Sequence, residues 1–236
     1  LKSLDDILSL PAMGLLYLVR HGETEWNRKN LCMGQLDIPL NDLGVRQAER
    51  LAERLSKITI DALYTSDLSR ASQTAQMIAQ KTGLTPIVKK ELREIYLGDY
   101  QGISTEELRK KFPSAYLIPS GKAAQAKELE YPEIETRTKL YFRAVRIFNE
   151  ISKNHPDQTV VIVSHGGLIR CLTNFVLGQN SNCKDEIFYS LGVDCSNCSI
   201  TLIRAESDAD YRLVVINDTA HLEGLHDESV DERDFG

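Results

Sequence analysis

The sequence predicts an α/β fold, a three-layer α/β/α sandwich with a mainly parallel central sheet and an inserted lid region. Three observations predict it. Short apolar runs alternate with stretches of helical periodicity, the pattern of a parallel sheet covered by helices on both faces. Residues 160–163 are continuously apolar, as in a strand buried on both sides. Two such runs, "LYLVRHG" and "VVIVSHG", end in the same abrupt His-Gly.

Taken in order, residues 15–19 read as a short buried strand. "NDLGVRQAERLAERLSKI" places Leu43, Ala48, Leu51, Ala52 and Leu55 at helical spacing, with Asn41 or Asp42 as its cap. "IDALYTS" reads as a second strand. Asp67 is the expected cap of the next helix, through "LSRASQTAQMIAQKTG", and Gly83 its stop. "TPIVKK" is a third short strand. The irregular, polar stretch that follows, about 95–131, is read as a lid of loops and short helices, because it keeps Ile95, Leu97, Phe112 and Leu117. "PEIETRTKLYFRAVRIFNEIS" is a long amphipathic helix with Ile134, Tyr141, Ala144, Val145, Phe148 and Ile151 on one face. After the 160–163 strand a helix is expected from about Gly166 to Gly178. "CSITLIRA" and "YRLVVIN" are expected to pair at a sheet edge.

Composition narrows the function. A net charge of −6 disfavours nucleic acid or an anionic membrane as partner, and five of the acids lie in the last eleven residues against Arg233. No apolar run approaches the roughly 20 residues of a membrane span. Residues 1–14 lack the basic start and apolar stretch of a signal peptide and read as an extension before the first strand, with Met13 a plausible native start. Five cysteines, an odd number without a secretion signal, imply reduced thiols and a cytoplasmic protein. The expected organisation is therefore an extension (1–14), one domain (15–225) and an acidic tail (226–236).

Ligands of an open parallel sheet bind beyond the carboxyl ends of its strands. His21 and His165 are both delivered to that edge, and the backbone N–H groups after His165 open a helix, a ready anion site. One His-Gly after a strand is ordinarily a turn; two among five histidines point further. Arg70 falls in the first turn of a helix, where a cation meets the positive dipole end at a cost of about 0.3–1 kcal/mol. Either its side chain bends back to Asp67 or into water, or a dianionic ligand offsets the cost. In the second case Arg20 and Arg70 grip phosphate oxygens with guanidinium forks.

These segments, "LYLVRHGETEWN", "GQLDIPLNDLGVRQAERLAERL", "YTSDLSRASQTAQMIA", "LREIYLGDYQG", "VVIVSHGGLIR" and "NDTAHL", resemble in type and order the histidine phosphatase superfamily, the phosphoglycerate-mutase-like proteins. The resemblance implies that His21 is a nucleophile transiently phosphorylated on one ring nitrogen. It implies that His165 donates to a phosphate oxygen and that Arg20 and Arg70 grip the phosphate. It further implies that Asn27 and the backbone N–H of Gly166 complete the cradle. Glu94 matches the general acid, which later activates water. No metal or cofactor is implied, and the implied partner is a small phosphorylated metabolite.

The interval of 71 positions from Glu94 to His165, the His165-Gly166-Gly167 run and "NDTAHL" resemble the phosphatase branch. The alternative is a cofactor-dependent phosphoglycerate mutase. Departures fall around the substrate. Glu133 and Ile134 stand where relatives carry glycines, although Glu135, Thr136 and Arg143 keep the spacing. Met33 replaces a polar residue, and Tyr100-Gln101 a Trp-Glu pair. Glu23 and Glu25 read as structural, and His221 as either approaching the site or packing. Two competing readings are a zinc or redox module built on Cys195 and Cys198 with Cys183 nearby, and a family member retained as a binding protein.

Overall fold

The computed structural model describes residues 14–111, 134–179, 193–207 and 210–225. The expected extension, most of the lid, the acidic tail and Cys183 lie outside these residues. One mixed sheet runs in the order β3-β2-β4-β1-β5-β6, from β1 (Leu15–Arg20), β2 (Ala62–Thr65), β3 (Ile87–Val88), β4 (Thr159–Ser164), β5 (Ile200–Ser207) and β6 (Asp210–Asp218). β3, β2, β4 and β1 pair in parallel, while β5 is antiparallel to both β1 and β6. The two C-terminal strands do pair, but only β6 is an edge.

Along β4, Val160 to Val163 are fully buried, and alternate side chains feed two cores. Leu16, Leu18, Val160 and Ile162 pack with Leu140, Ala144, Ile147, Phe148 and Ile151 of α5 (Arg137–Asn154) and Leu168 and Leu172 of α6 (Gly166–Gln179). Val19, Leu63, Val161 and Val163 pack with Leu51 and Leu55 of α2 (Asp42–Leu55) and Ala71, Ala75 and Ile78 of α3 (Ser69–Thr82). The three layers of the expected sandwich follow from this alternation. In α5 the buried face adds Leu140 and Ile147 to the expected set, and Ile134 precedes the helix.

Asn41 is the cap of α2, its side chain accepting from Gly44 N at 2.8 Å. Asp67 does not cap α3. The N-cap position falls one residue later, on Leu68, which has no polar side chain. Asp37, from the preceding loop, accepts from Ser69 N at 2.6 Å and Ser69 Oγ at 2.7 Å in its stead. Asp67 is freed to pair with Arg93 through two bonds of 2.7 and 2.6 Å. Gly83 closes α3 at φ +74°, as expected of a left-handed stop.

The loop after β1 is held by a close backbone approach. α1 (Glu25–Arg28) starts at Thr24, whose capping box is closed by Asn27. Gly22 and Gly44 face each other so closely that a Cβ on Gly44 would stand 2.0 Å from Glu23 O, and one on Gly22 would stand 2.4 Å from Gly44 O. Only glycines let α2 begin against this loop.

Candidate active site

β1 and β4 are neighbours in register, with Arg20 opposite Ser164, so the residues that follow emerge side by side. The rings of His21 and His165 lie 5.2 Å apart, centroid to centroid, and both are buried. The two expected histidines therefore share one pocket.

Their tautomers differ. His21 Nδ1 donates to Gly22 O at 2.7 Å, which leaves Nε2 with a free lone pair. Arg70 Nε donates to His165 Nδ1 at 3.2 Å; a guanidinium only donates, so the proton of a neutral His165 sits on Nε2. Among the described residues that Nε2 is buried without a protein partner, as is Arg20 Nε. Burial, reinforced by Arg70 and Arg20, holds His21 well below the ordinary histidine range. Burial, then Arg70, His21 and Arg20, does the same for His165. Both rings are neutral at neutral pH.

Arg70 does not bend back to Asp67. It is fully buried and ties Nη1 to Leu36 O and Nη2 to Gly34 O, each at 2.8 Å. These carbonyls, besides any ligand, offset its position at a helix N-terminus. Burial lowers its pKa to about 10, so it stays charged. Arg20 donates through Nη1 to Cys195 O at 2.5 Å. Burial, opposed by Cys195 and helped by Arg170, lowers its pKa as well.

Glu94 reaches the start of α6. Its Oε2 accepts from Gly167 N at 2.9 Å and its Oε1 from Ile95 N at 2.8 Å. It is not an Arg93 partner, since Arg93 pairs with Asp67. Gly166 opens α6 beside Arg20, whose Nε is 3.5 Å from where its Cβ would stand. Its N–H is one of the orphan donors of a helix start. Asn27 is nearby but partly occupied. Its Oδ1 accepts from Thr24 N, Thr24 Oγ1 and Asn197 Nδ2 at 3.1, 3.0 and 3.2 Å, so its amide NH₂ is the end left for a ligand.

The contacts of several supports carried no signal in the sequence. Arg143 grips Glu135 through two bonds and donates to the carbonyls of Glu91, Arg93 and Glu94, fixing the backbone that aims Glu94. The eight-residue Glu135–Arg143 spacing was visible, its target was not. A turn before β5 clamps the first strand end: Cys198 N donates to Arg20 O and His21 O, and Asn197 Nδ2 to His21 O. His221 packs behind that turn. Its Nε2 donates to Cys198 O at 3.0 Å and its Nδ1 accepts from Arg54 at 3.1 Å. Of its two readings, packing is the one realised. Glu23 bonds Asn41 and Glu25 bonds Arg28 and Lys29, structural roles as expected.

Cys195 and Cys198 are buried, and burial pushes both thiols up, away from the thiolate that binds metal or attacks. Among the described residues no group of three His, Cys, Asp or Glu side chains is placed to hold a metal ion. Nor, among them, is any helix long and apolar enough to cross a membrane.

An α/β sheet that brings two neutral imidazoles and two arginines together at one strand edge has the make-up of a phosphoryl-handling class of proteins. Residues 16–219 match the histidine phosphatase superfamily (branch 1), and the chain belongs to that family of enzymes. It is 38% identical over 211 residues to phosphoglycerate mutase-like protein 4 of Arabidopsis thaliana, covering 88% of this chain and 86% of the relative. It is 33% identical over 207 residues to phosphoserine phosphatase 1 of Hydrogenobacter thermophilus, covering 88% and 93%. Among solved structures, mycobacterial glucosyl-3-phosphoglycerate phosphatase complexed with VO3 is similar at 30% identity and a TM-score of 0.70, covering 86% of this chain and 98% of that one.

Proposed function

We propose that this enzyme is a metal-independent phosphomonoesterase that hydrolyses small phosphorylated metabolites through a phosphohistidine at His21. The observation that carries the reading is the pair of buried, neutral imidazoles with opposite tautomers, 5.2 Å apart. His21 Nε2 attacks phosphorus and the bond to the leaving oxygen breaks. Glu94 acts as the general acid, giving a proton to the departing alkoxide. His165 Nε2–H, Arg20, Arg70 and the Gly166 N–H hold the equatorial oxygens, with the Asn27 amide at the edge. These fixed donors supply the electrostatic preorganisation on which phosphoryl transfer depends. Water, deprotonated by the Glu94 carboxylate, then attacks phosphorus, the nitrogen–phosphorus bond breaks, and inorganic phosphate leaves with His21 regenerated. The described lid residues, among them the short helix α4 (Thr105–Lys111), belong to the same catalytic domain in this reading.

The test is a panel of phosphomonoesters assayed with and without EDTA on the wild type and on His21→Ala. Turnover unaffected by chelator and lost by at least 10³-fold in the variant is expected, with acid-labile phosphate trapped on the wild type. Activity abolished by EDTA, or surviving the substitution, refutes it. The name of the Arabidopsis relative keeps a mutase reading in play. Interconversion of phosphoglycerates primed by a bisphosphoglycerate, faster than phosphate release, would select it.

A further inference from the structure

The phosphate pocket does not account for every cation at its edge. Arg170 lies one turn into α6, four residues beyond Gly166, and helical side chains lean back toward the N-terminus. Its Nη1 stands 3.4 Å from the point where a Gly166 Cβ would be, and Arg20 Nε stands 3.5 Å from that same point. Its Nε is moored by Val193 O at 3.0 Å. A guanidinium is thus anchored over the positive end of a helix and beside another guanidinium, two unfavourable placements at once. Glu94, a carboxylate at the start of α6, is already bonded to Gly167 N and Ile95 N. The buried, unpartnered His165 Nε2 immediately precedes this helix start.

Depth separates Arg170 from His21 and Arg70. His21 is 2% exposed and Arg70 0%, so the reacting phosphate sits at the floor. Arg170 is exposed, at the mouth, where the alcohol of a bound monoester must project. We infer that Arg170 is a specificity-determining residue whose guanidinium receives a second anionic group, a carboxylate, on the leaving alcohol. The inference rests on the phosphomonoesterase reading and adds to it the class of alcohol preferred. Gly166 is part of the device, since any side chain there would intrude between Arg170 and Arg20.

The experiment compares O-phosphoserine with O-phosphoethanolamine, which differ by one carboxylate, on the wild type, Arg170→Gln and Arg170→Lys. The wild type is expected to favour phosphoserine in kcat/KM. In Arg170→Gln that ratio falls about tenfold, chiefly through KM, a loss in keeping with a solvent-exposed charged contact. Arg170→Lys, which keeps charge but not the fork, falls less. A ratio unchanged in Arg170→Gln, or a wild type indifferent to the carboxylate, overturns the inference. Calorimetric binding of phosphoglycolate against ethyl phosphate to His21→Ala, with and without Arg170→Gln, reads the same preference without turnover. A wild type that hydrolyses neither monoester sinks the phosphatase reading, while the binding comparison still decides the role of Arg170.

Discussion

Gly167→Ala isolates Glu94, the proposed general acid, from the rest of the pocket. A Cβ there would stand 2.2 Å from Glu94 Oε1, 3.0 Å from its Cδ and 3.2 Å from Oε2. The atoms that must give way belong to the end of a flexible, half-buried side chain, so the carboxylate swings off and its 2.9 Å bond to Gly167 N breaks. Folding should hardly notice. Gly167 does not need a positive φ, and alanine inside a helix is favoured over glycine by about 0.5–1 kcal/mol, which offsets part of the lost contact. Catalysis should notice. A hydrogen bond to a neutral carboxylic acid is worth about 0.5–1.5 kcal/mol, and losing that positioning at the transition state corresponds to roughly 2–10-fold in rate. The assay is kcat/KM, which covers the steps through phosphoenzyme formation, for an alkyl monoester and for p-nitrophenyl phosphate. The alkyl ester, whose alkoxide needs a proton, should lose the full factor. Nitrophenolate leaves unaided and should lose much less. Equal loss on both substrates, no loss on either, or a fall in Tm of many degrees would show that Glu94 is not held at this spot to protonate the leaving group.

Two further outcomes follow from the same coordinates. Gly44→Ala drives a Cβ to 2.0 Å from Glu23 O and 2.7 Å from Glu23 N, backbone atoms that cannot rotate aside; a loss of at least about 2 kcal/mol, several degrees in Tm, is expected, and a Tm within one degree of wild type would mean the contact relaxes freely. The lowered pKa values of His21, His165 and His221 set an acid limit on stability. A histidine depressed in the folded state contributes fully above its ordinary value of about 6.5 and loses that contribution as pH falls below it, by at most about 1.4 kcal/mol per pH unit for each ring. Asp67 and Asp218, held low by Arg93 and Arg54, release their support only below the carboxylate range, so melting between pH 6.5 and 5 reads the histidines. Tm should fall across that window and fall less with bound vanadate, whose charge favours the protonated rings; a flat profile contradicts the buried, neutral pair.

Much of this was legible because periodicity and strand-end chemistry are local. Continuous apolarity in 160–163 announced a doubly buried strand, and the repeated His-Gly announced the edge where both histidines emerge. What escaped was set by distance in the chain. Asp37 caps α3 from 32 residues away, a partner no local rule selects over adjacent Asp67. Arg143 reaches back about 50 positions to carbonyls, which carry no side-chain identity to read. Asn197 and Cys198 act on the site through an amide and a backbone N–H, again without a residue-type signature.

The two strand ends also share a local sequence yet acquire opposite chemistry, a difference that residue types in the two motifs do not reveal. Each places a histidine before glycine at the end of a buried strand. At the first, the Gly22 carbonyl turns back onto Nδ1, a bond between adjacent residues that leaves Nε2 unprotonated. At the second, Arg70 approaches Nδ1 from a different element and, unable to accept, forces the proton to Nε2. Arg70 can do this because Gly34 and Leu36 carbonyls hold its other two nitrogens. The loop carrying Gly34 and Leu36 therefore decides that His165 offers a hydrogen, while the turn after β1 decides that His21 offers an electron pair. The same arginine, charged and buried, also helps keep both rings neutral, without which His21 would have no lone pair to attack with at all.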